Sequence, residues 1–216
     1  MISARSFQAS RAFRQGWQAF SRNAAVLVGF SVLAFFVLGV LQFAQVSVIS
    51  AASSGVTPTA TAVLLLGVLA LQAVVSLVIS IALLHGSLSA VRGDKLTMPT
   101  MFSMLVAVPD LLGLQIFGGL AMGIGLLIFF VPGIYLAVAY GLAGFALVDG
   151  PRSFVDALNL SRQLVTPNWF DLALFYLVVL GVVSLGVVAC LVGGFVSVPV
   201  GFCMVAAAYQ QLIELS

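Results

Sequence analysis

The stretch from Leu111 to Val148 carries no charged side chain. As one helix it would run roughly 57 Å, against ~30 Å for the hydrocarbon core of a bilayer. Val131-Pro132-Gly133 sits near its middle. Proline cannot continue an incoming helix, and glycine takes the backbone angles of a tight turn. The stretch therefore predicts two membrane helices folded into a hairpin, with the turn at Pro132-Gly133. Composition points the same way. Charged residues are 6% of the chain and hydrophobic residues 62%, whereas a soluble domain carries about 25% charged residues. So few charges cannot cover a water-facing surface, and the apolar runs are too long for the alternating strands of a barrel. The expectation is an all-α integral membrane protein.

The other segments vary the same hairpin. Ala9, Phe13, Trp17 and Phe20 recur at helical spacing, with Arg11, Arg14, Gln15, Gln18 and Arg22 opposite them. That predicts an amphipathic helix lying in the membrane interface. Asn23 is placed to cap a first span, Ala24 to about Ser47, and Pro58 precedes a second, Ala60 to about Leu84. After the charged turn Arg92 to Lys95, Thr97 opens a short segment with Met98, Met101, Phe102, Leu105 and Val108 on one face. Asp110 is placed to cap Leu111–Val131, and the return, Ile134–Val148, is short for a span at about 22 Å. Ser153 with Asp156 resembles a capping box. It opens an amphipathic helix with Phe154, Ala157, Leu158, Leu164 and Val165 on one side. Asn168 is placed to cap a fifth span, Trp169 to about Val192. Gly193-Gly194 turns, and the last span runs from Phe195 to Ile213 with Pro199 in its first turn, where proline is tolerated.

The predicted fold is thus six transmembrane helices in three hairpins, each preceded by an interfacial amphipathic helix. It forms one membrane domain of three units, residues 1–91, 92–148 and 149–216. Asn23, Asp110 and Asn168 as caps, with Pro58, Pro132 and Pro199 near the return helices, suggest a parallel threefold repeat. Six spans place both termini on one side. All eight basic residues, Arg5, Arg11, Arg14, Arg22, Arg92, Lys95, Arg152 and Arg162, then fall on that side, which the positive-inside rule makes cytoplasmic. A re-entrant Leu111–Val148 pair leaves the same charge pattern, so both readings stand. The segment before Asn23 is too long for the n-region of a signal peptide, and none is expected.

Chemistry-bearing residues are few. No predicted span has a charge at its middle, which argues against a pump. Gln42, Gln45, Gln72 and Gln115 form either a polar path, if they converge, or separate interhelical hydrogen bonds. His85, the single histidine, is a candidate ligand for a haem or chlorophyll metal; the plainer reading is a bond to a nearby carbonyl. Met98, Met101 and Met104 read as packing, and Cys190 and Cys203 as small buried hydrophobes. Gly119 and Gly123 form a GxxxG that permits close helix approach within the bundle or against another protein. Arg14, Arg22, Arg92, Lys95, Arg152 and Arg162 are candidates for contact with anionic headgroups or a partner's acidic surface. Basic residues this few and dispersed give no nucleic-acid footprint.

VPGIYLAVAYGLAGFALVD followed by DALNLSRQLVTPNW (within Val131–Trp169) resembles the membrane domain attached to some bacterial glycerophosphodiester phosphodiesterases, and related multipass proteins of unknown function. The features that carry the resemblance are Pro132-Gly133, Asp149, Asp156-Ala157-Leu158 with Ser161, and Asn168-Trp169. The family's soluble catalytic domain, rich in carboxylates and histidines, has no counterpart. The resemblance therefore implies a fold and a bacterial inner membrane, or an internal membrane continuous with it, but not the esterase reaction. The functional expectation is a non-enzymatic accessory or scaffold subunit that docks on a larger membrane-protein complex or organises membrane lipids. A transporter or channel for a small or lipid-like molecule is the first alternative, and cofactor binding through His85 the second.

Overall fold

The computed structural model describes residues 7–52, 57–128, 130–150, 153–189 and 193–216. They are helical, with no strand among them: α1 (Ala9–Ala52), α2 (Pro58–Arg92), α3 (Met98–Met101), α4 (Val108–Ile128), α5 (Phe130–Ala139), α6 (Ala143–Val148), α7 (Phe154–Val165), α8 (Trp169–Ala189) and α9 (Gly194–Ile213). Short 3-10 turns, Leu105–Ala107 and Thr166–Asn168, lead into α4 and α8. Among the described residues, six helical segments are long and apolar enough to cross a membrane. The expected all-helical, multipass membrane architecture is present.

The packing centre is α9, not the Leu111–Val148 stretch. It lies against α1, α2 and α8, and Cys203, Ala206, Ala207, Ala208 and Tyr209 are completely buried. Small residues explain the choice, because they let backbones approach closely. On α1 the matching stripe is Ala12, Gly16 and Ala19, all buried. A Cβ on Gly16 would lie 2.5 Å from the Met204 Cα and 2.9 Å from the Cys203 carbonyl oxygen. The buried face is therefore rotated from the one expected. Phe20 is buried, Phe13 packs at the edge of the core, and Trp17 remains 55% exposed. The buried Gln211 carboxamide ties the chain entry to α9, accepting from the Gln8 N–H at 3.0 Å and donating to the Gln8 carbonyl at 3.2 Å.

Asn23 sits at a break, but its side chain bonds elsewhere than to the N–H groups of the helix that follows. Its backbone is non-helical (φ −121°, ψ 18°), dividing α1 into two pieces across a kink. Its Nδ2 donates to the Ala19 carbonyl at 3.3 Å, and its Oδ1 accepts the Leu96 N–H at 3.3 Å, anchoring the charged turn after α2. Gly93 closes α2 with φ 91°, the left-handed conformation that glycine adopts without a Cβ clash.

At the other end, Phe35 meets Phe195 edge-on, ring centroids 5.0 Å apart, beside the start of α9. From there α1 continues to Ala52, about 25 Å of further helix. Beyond Ala34 no described α1 residue is buried, and in α2 only Thr61 is buried before Leu77. The two helices form an arm held by their mutual contact, across which Gln45 donates to Gln72.

The remaining helices form a layer. α7 packs against α4, α5 and α6. Pro132 and Gly133 lie inside the first turn of α5, and α4 already ends at Ile128. Gly133 serves close approach: a Cβ there would meet the Leu126 backbone nitrogen at 2.6 Å. The return expected as one short helix is two, α5 and α6, interrupted at Tyr140-Gly141-Leu142.

Candidate functional site: an apolar cavity at a broken helix

A helix broken inside a membrane protein leaves backbone groups without partners, and these are tolerated only where other protein groups take them up. Here the partner is Ser161 of α7. Its hydroxyl donates to the Ala139 carbonyl at 2.7 Å and accepts the Leu142 N–H at 3.2 Å. One side chain thus joins the end of α5 to the start of α6. Ser161 is completely buried, on the α7 face that also carries Ala157, Leu164 and Val165. The Ser153 hydroxyl starts that helix by accepting the Asp156 N–H at 3.3 Å and donating to its carboxylate at 2.7 Å.

Gly141, in the break, lines a cavity of about 520 Å³ bounded by α5, α6, α8, α9 and Leu84 of α2. Val138, Phe145, Val179 and Phe202 give it hydrocarbon walls. Ala137 and Leu180 also line it and are exposed, so it opens onto the outer apolar surface of the bundle. Its one polar side chain is Tyr176, whose hydroxyl is buried without a hydrogen-bond partner. The ring lies over Gly141, where a Cβ would sit 2.8 Å from the hydroxyl oxygen. A side chain at that position would have to displace the ring. Pockets of this size commonly take small molecules, and this lining offers hydrophobic contact and no pair of acid, base or nucleophile.

Beside the cavity, the charged end of the bundle is closed by a polar cluster. The Arg92 guanidinium pairs with Asp149, and its Nε donates to the Gln210 Oε1 at 3.3 Å. The Tyr209 hydroxyl donates to the other Asp149 oxygen at 2.8 Å while its ring stacks on Phe145, centroids 6.1 Å apart. This ties α2, the end of α6 and α9 together. A second pair, Arg11 with Glu214 at 3.3 Å, is exposed.

The residues singled out from sequence do not converge on this cavity. Gln45 pairs with Gln72, while Gln42 and Gln115 are exposed on α1 and α4, so no shared polar path joins the four. His85 is half-buried on α2, its Nδ1 without a partner, and its neighbour Leu84 rather than His85 lines the cavity. Among the described residues no three His, Cys, Asp or Glu side chains are grouped to hold a metal. Gly119 and Gly123 have open space around them; close approaches to backbone are found instead at glycines such as Gly16, Gly125, Gly133 and Gly193. Arg14, Arg22, Lys95 and Arg162 are exposed, as is the paired Arg92, and Arg152 lies outside the described residues. Sequence reasoning passed over Gly141, Tyr176 and Tyr209. A Tyr-Gly inside an apolar return helix, and a serine on the apolar stripe of α7, were the available signals. Comparison with protein-family models, curated proteins and solved structures finds no match for the chain.

Proposed function

We propose that the protein is a non-enzymatic accessory or scaffold protein of the membrane that organises lipid, holding an apolar chain in the cavity beneath the α5–α6 break. The observation that carries this reading is the cavity: apolar on its walls, open toward the outer apolar surface, and built where a helix is interrupted and stapled by Ser161. Interrupted helices recur at ligand sites in membrane proteins because the break makes room that a straight helix fills. The three-hairpin arrangement and the cytoplasmic placement of the charged end belong to the same reading. They are supported by the packing of α1 on α2, α4 on α5 and α8 on α9, and by the basic residues. The inner membrane of a bacterium is the setting this reading adopts.

Docking on a larger membrane complex is favoured by a separate feature. The arm beyond Phe35 exposes Phe36, Phe43, Leu64 and Leu66, which no other described residue buries. Transport is the weaker reading, since the four glutamines do not share a cavity.

Purification in mild detergent from the native membrane tests this, with co-purifying lipid, protein and visible absorbance recorded together. The proposal expects a stoichiometric lipid that Ala137→Phe, at the cavity mouth, removes. Protein that emerges free of lipid overturns the cavity reading. A visible chromophore lost in His85→Ala replaces it with cofactor binding.

A further inference from the structure

We infer that the exposed face of α1 before Asn23 binds an anionic phospholipid, with the phosphate on Arg11 and Arg14 and the hydrocarbon along α8. This site is separate from the cavity beneath the α5–α6 break. In this part of α1, Ala12, Gly16 and Ala19 are buried, with Gly16 against the backbone of α9. Gln8, Arg11, Arg14, Gln18 and Arg22 are left exposed. Residues three apart on a helix are neighbours, and Arg11 and Arg14 share one groove of about 350 Å³ with Gln8, Gln15 and Gln18. Guanidinium forks match the oxygens of a phosphate. Arg11 also pairs with Glu214 at 3.3 Å. Among the described residues Arg14 has no ion pair. Two guanidinia against one carboxylate leave a positive charge in excess, which a single phosphodiester balances.

The flank of this groove separates it from a plain solvated face. Arg14 and Gln18 also border a second depression, of about 320 Å³, with Phe13, Trp17 and Met204. Phe13 in turn borders a third, of about 170 Å³, that runs onto Leu174, Phe175 and Val178 of α8. The Phe13 and Phe175 rings meet there, centroids 5.0 Å apart. Trp17 is 55% exposed and Leu174 63%. Shared residues thus link the three depressions in order, from guanidinia through an indole to a hydrocarbon wall. A phospholipid presents its groups in the same order, from phosphate through the glycerol esters to the chain, and indole rings favour the level between.

The charge pattern sets the direction. Asp171 borders the third depression, and its carboxylate repels a phosphate placed there. The headgroup therefore goes to the arginines and the chain to α8. An acidic protein surface would suit the arginines but leave Trp17 and Leu174 uncovered. A lipid that is anionic at one end and hydrocarbon at the other suits both.

The test is quenching of Trp17 by phospholipids brominated on the acyl chain, with the full chain in vesicles. The Trp17 signal is the difference between the parent protein and Trp17→Phe. Phosphatidylglycerol and phosphatidylcholine are mixed equally, and the bromine is carried by one or the other. An arginine at an anionic lipid is worth roughly fivefold in binding. The inference expects a preference of at least about that size for phosphatidylglycerol at Trp17, lost in Arg11→Gln/Arg14→Gln. It expects the preference to survive Ala137→Phe, which fills the separate cavity, and inorganic phosphate added at constant ionic strength. Both arginines are exposed, so their replacement leaves the buried packing intact. Equal quenching by the two lipids leaves the arginines to a partner's acidic surface and overturns the inference. A preference that persists in the double variant, or that Ala137→Phe or free phosphate abolishes, overturns it as well.

Discussion

Replacing Ser161 by alanine removes one oxygen atom and strands two backbone groups, the Ala139 carbonyl and the Leu142 N–H. Neither has water within reach, since Ala139, Leu142 and Ser161 are all completely buried. A buried polar group left unpaired costs about 1–3 kcal/mol. Hydrogen bonds inside membrane proteins average only ~0.6 kcal/mol and reach ~1.7 kcal/mol, because the unfolded chain finds other partners. Two such bonds, at the upper end because one oxygen serves both, give about 2–3 kcal/mol. For a chain of 216 residues that corresponds to a fall in Tm of roughly 5–10 °C. Thermal unfolding in mild detergent reads it. Ser80→Ala is the matched control. Its hydroxyl donates to the Ser76 carbonyl of its own helix at 2.8 Å, and that carbonyl keeps its helical partner when the hydroxyl is lost, so the change is close to neutral. If Ser161→Ala melts with Ser80→Ala, the staple across the α5–α6 break is not what holds it.

Three further substitutions probe the fold. Gly16→Ala forces a Cβ against the Met204 and Cys203 backbone, which cannot rotate away, and should destabilise by about 1–3 kcal/mol. Gly39→Ala, in open space on the same helix, should stabilise by ~0.5–1 kcal/mol; equal melting of the two would remove α9 from the centre of the fold. Tyr209→Phe keeps the stack on Phe145 but takes a donor from the Asp149 carboxylate, and should cost about 1.5–3 kcal/mol in chemical denaturation.

The coarse architecture was legible because membrane insertion is written in composition and run length. The apolar runs, the break at Asn23 and the cap at Ser153 follow from local chemistry that needs no neighbour. What the sequence could not reveal depends on partners distant in the chain. The buried face of the first helix was assigned to its bulky residues, as a membrane surface would demand, but another helix prefers its small ones, Ala12, Gly16 and Ala19. A GxxxG at Gly119 and Gly123 marks where two helices are able to meet, not that they do. Pro132-Gly133 announced a turn, yet α5 begins before it, since a proline in the first turn of a helix lacks only a hydrogen bond already missing there. The cavity was hidden for the same reason: Gly141, Tyr176 and Gly201 come from the α5–α6 break, α8 and α9, and each reads alone as ordinary apolar chain.

The most direct measurement is photocrosslinking with a lipid that carries a diazirine on its acyl chain, mapped by peptide mass spectrometry on the protein in vesicles. A lipid-holding cavity predicts labelling concentrated on the segments around Val138, Tyr176 and Phe202, and lost from them in Ala137→Phe. Labelling spread evenly over the exposed belt at Phe36, Phe43 and Leu174, and indifferent to that substitution, would contradict it.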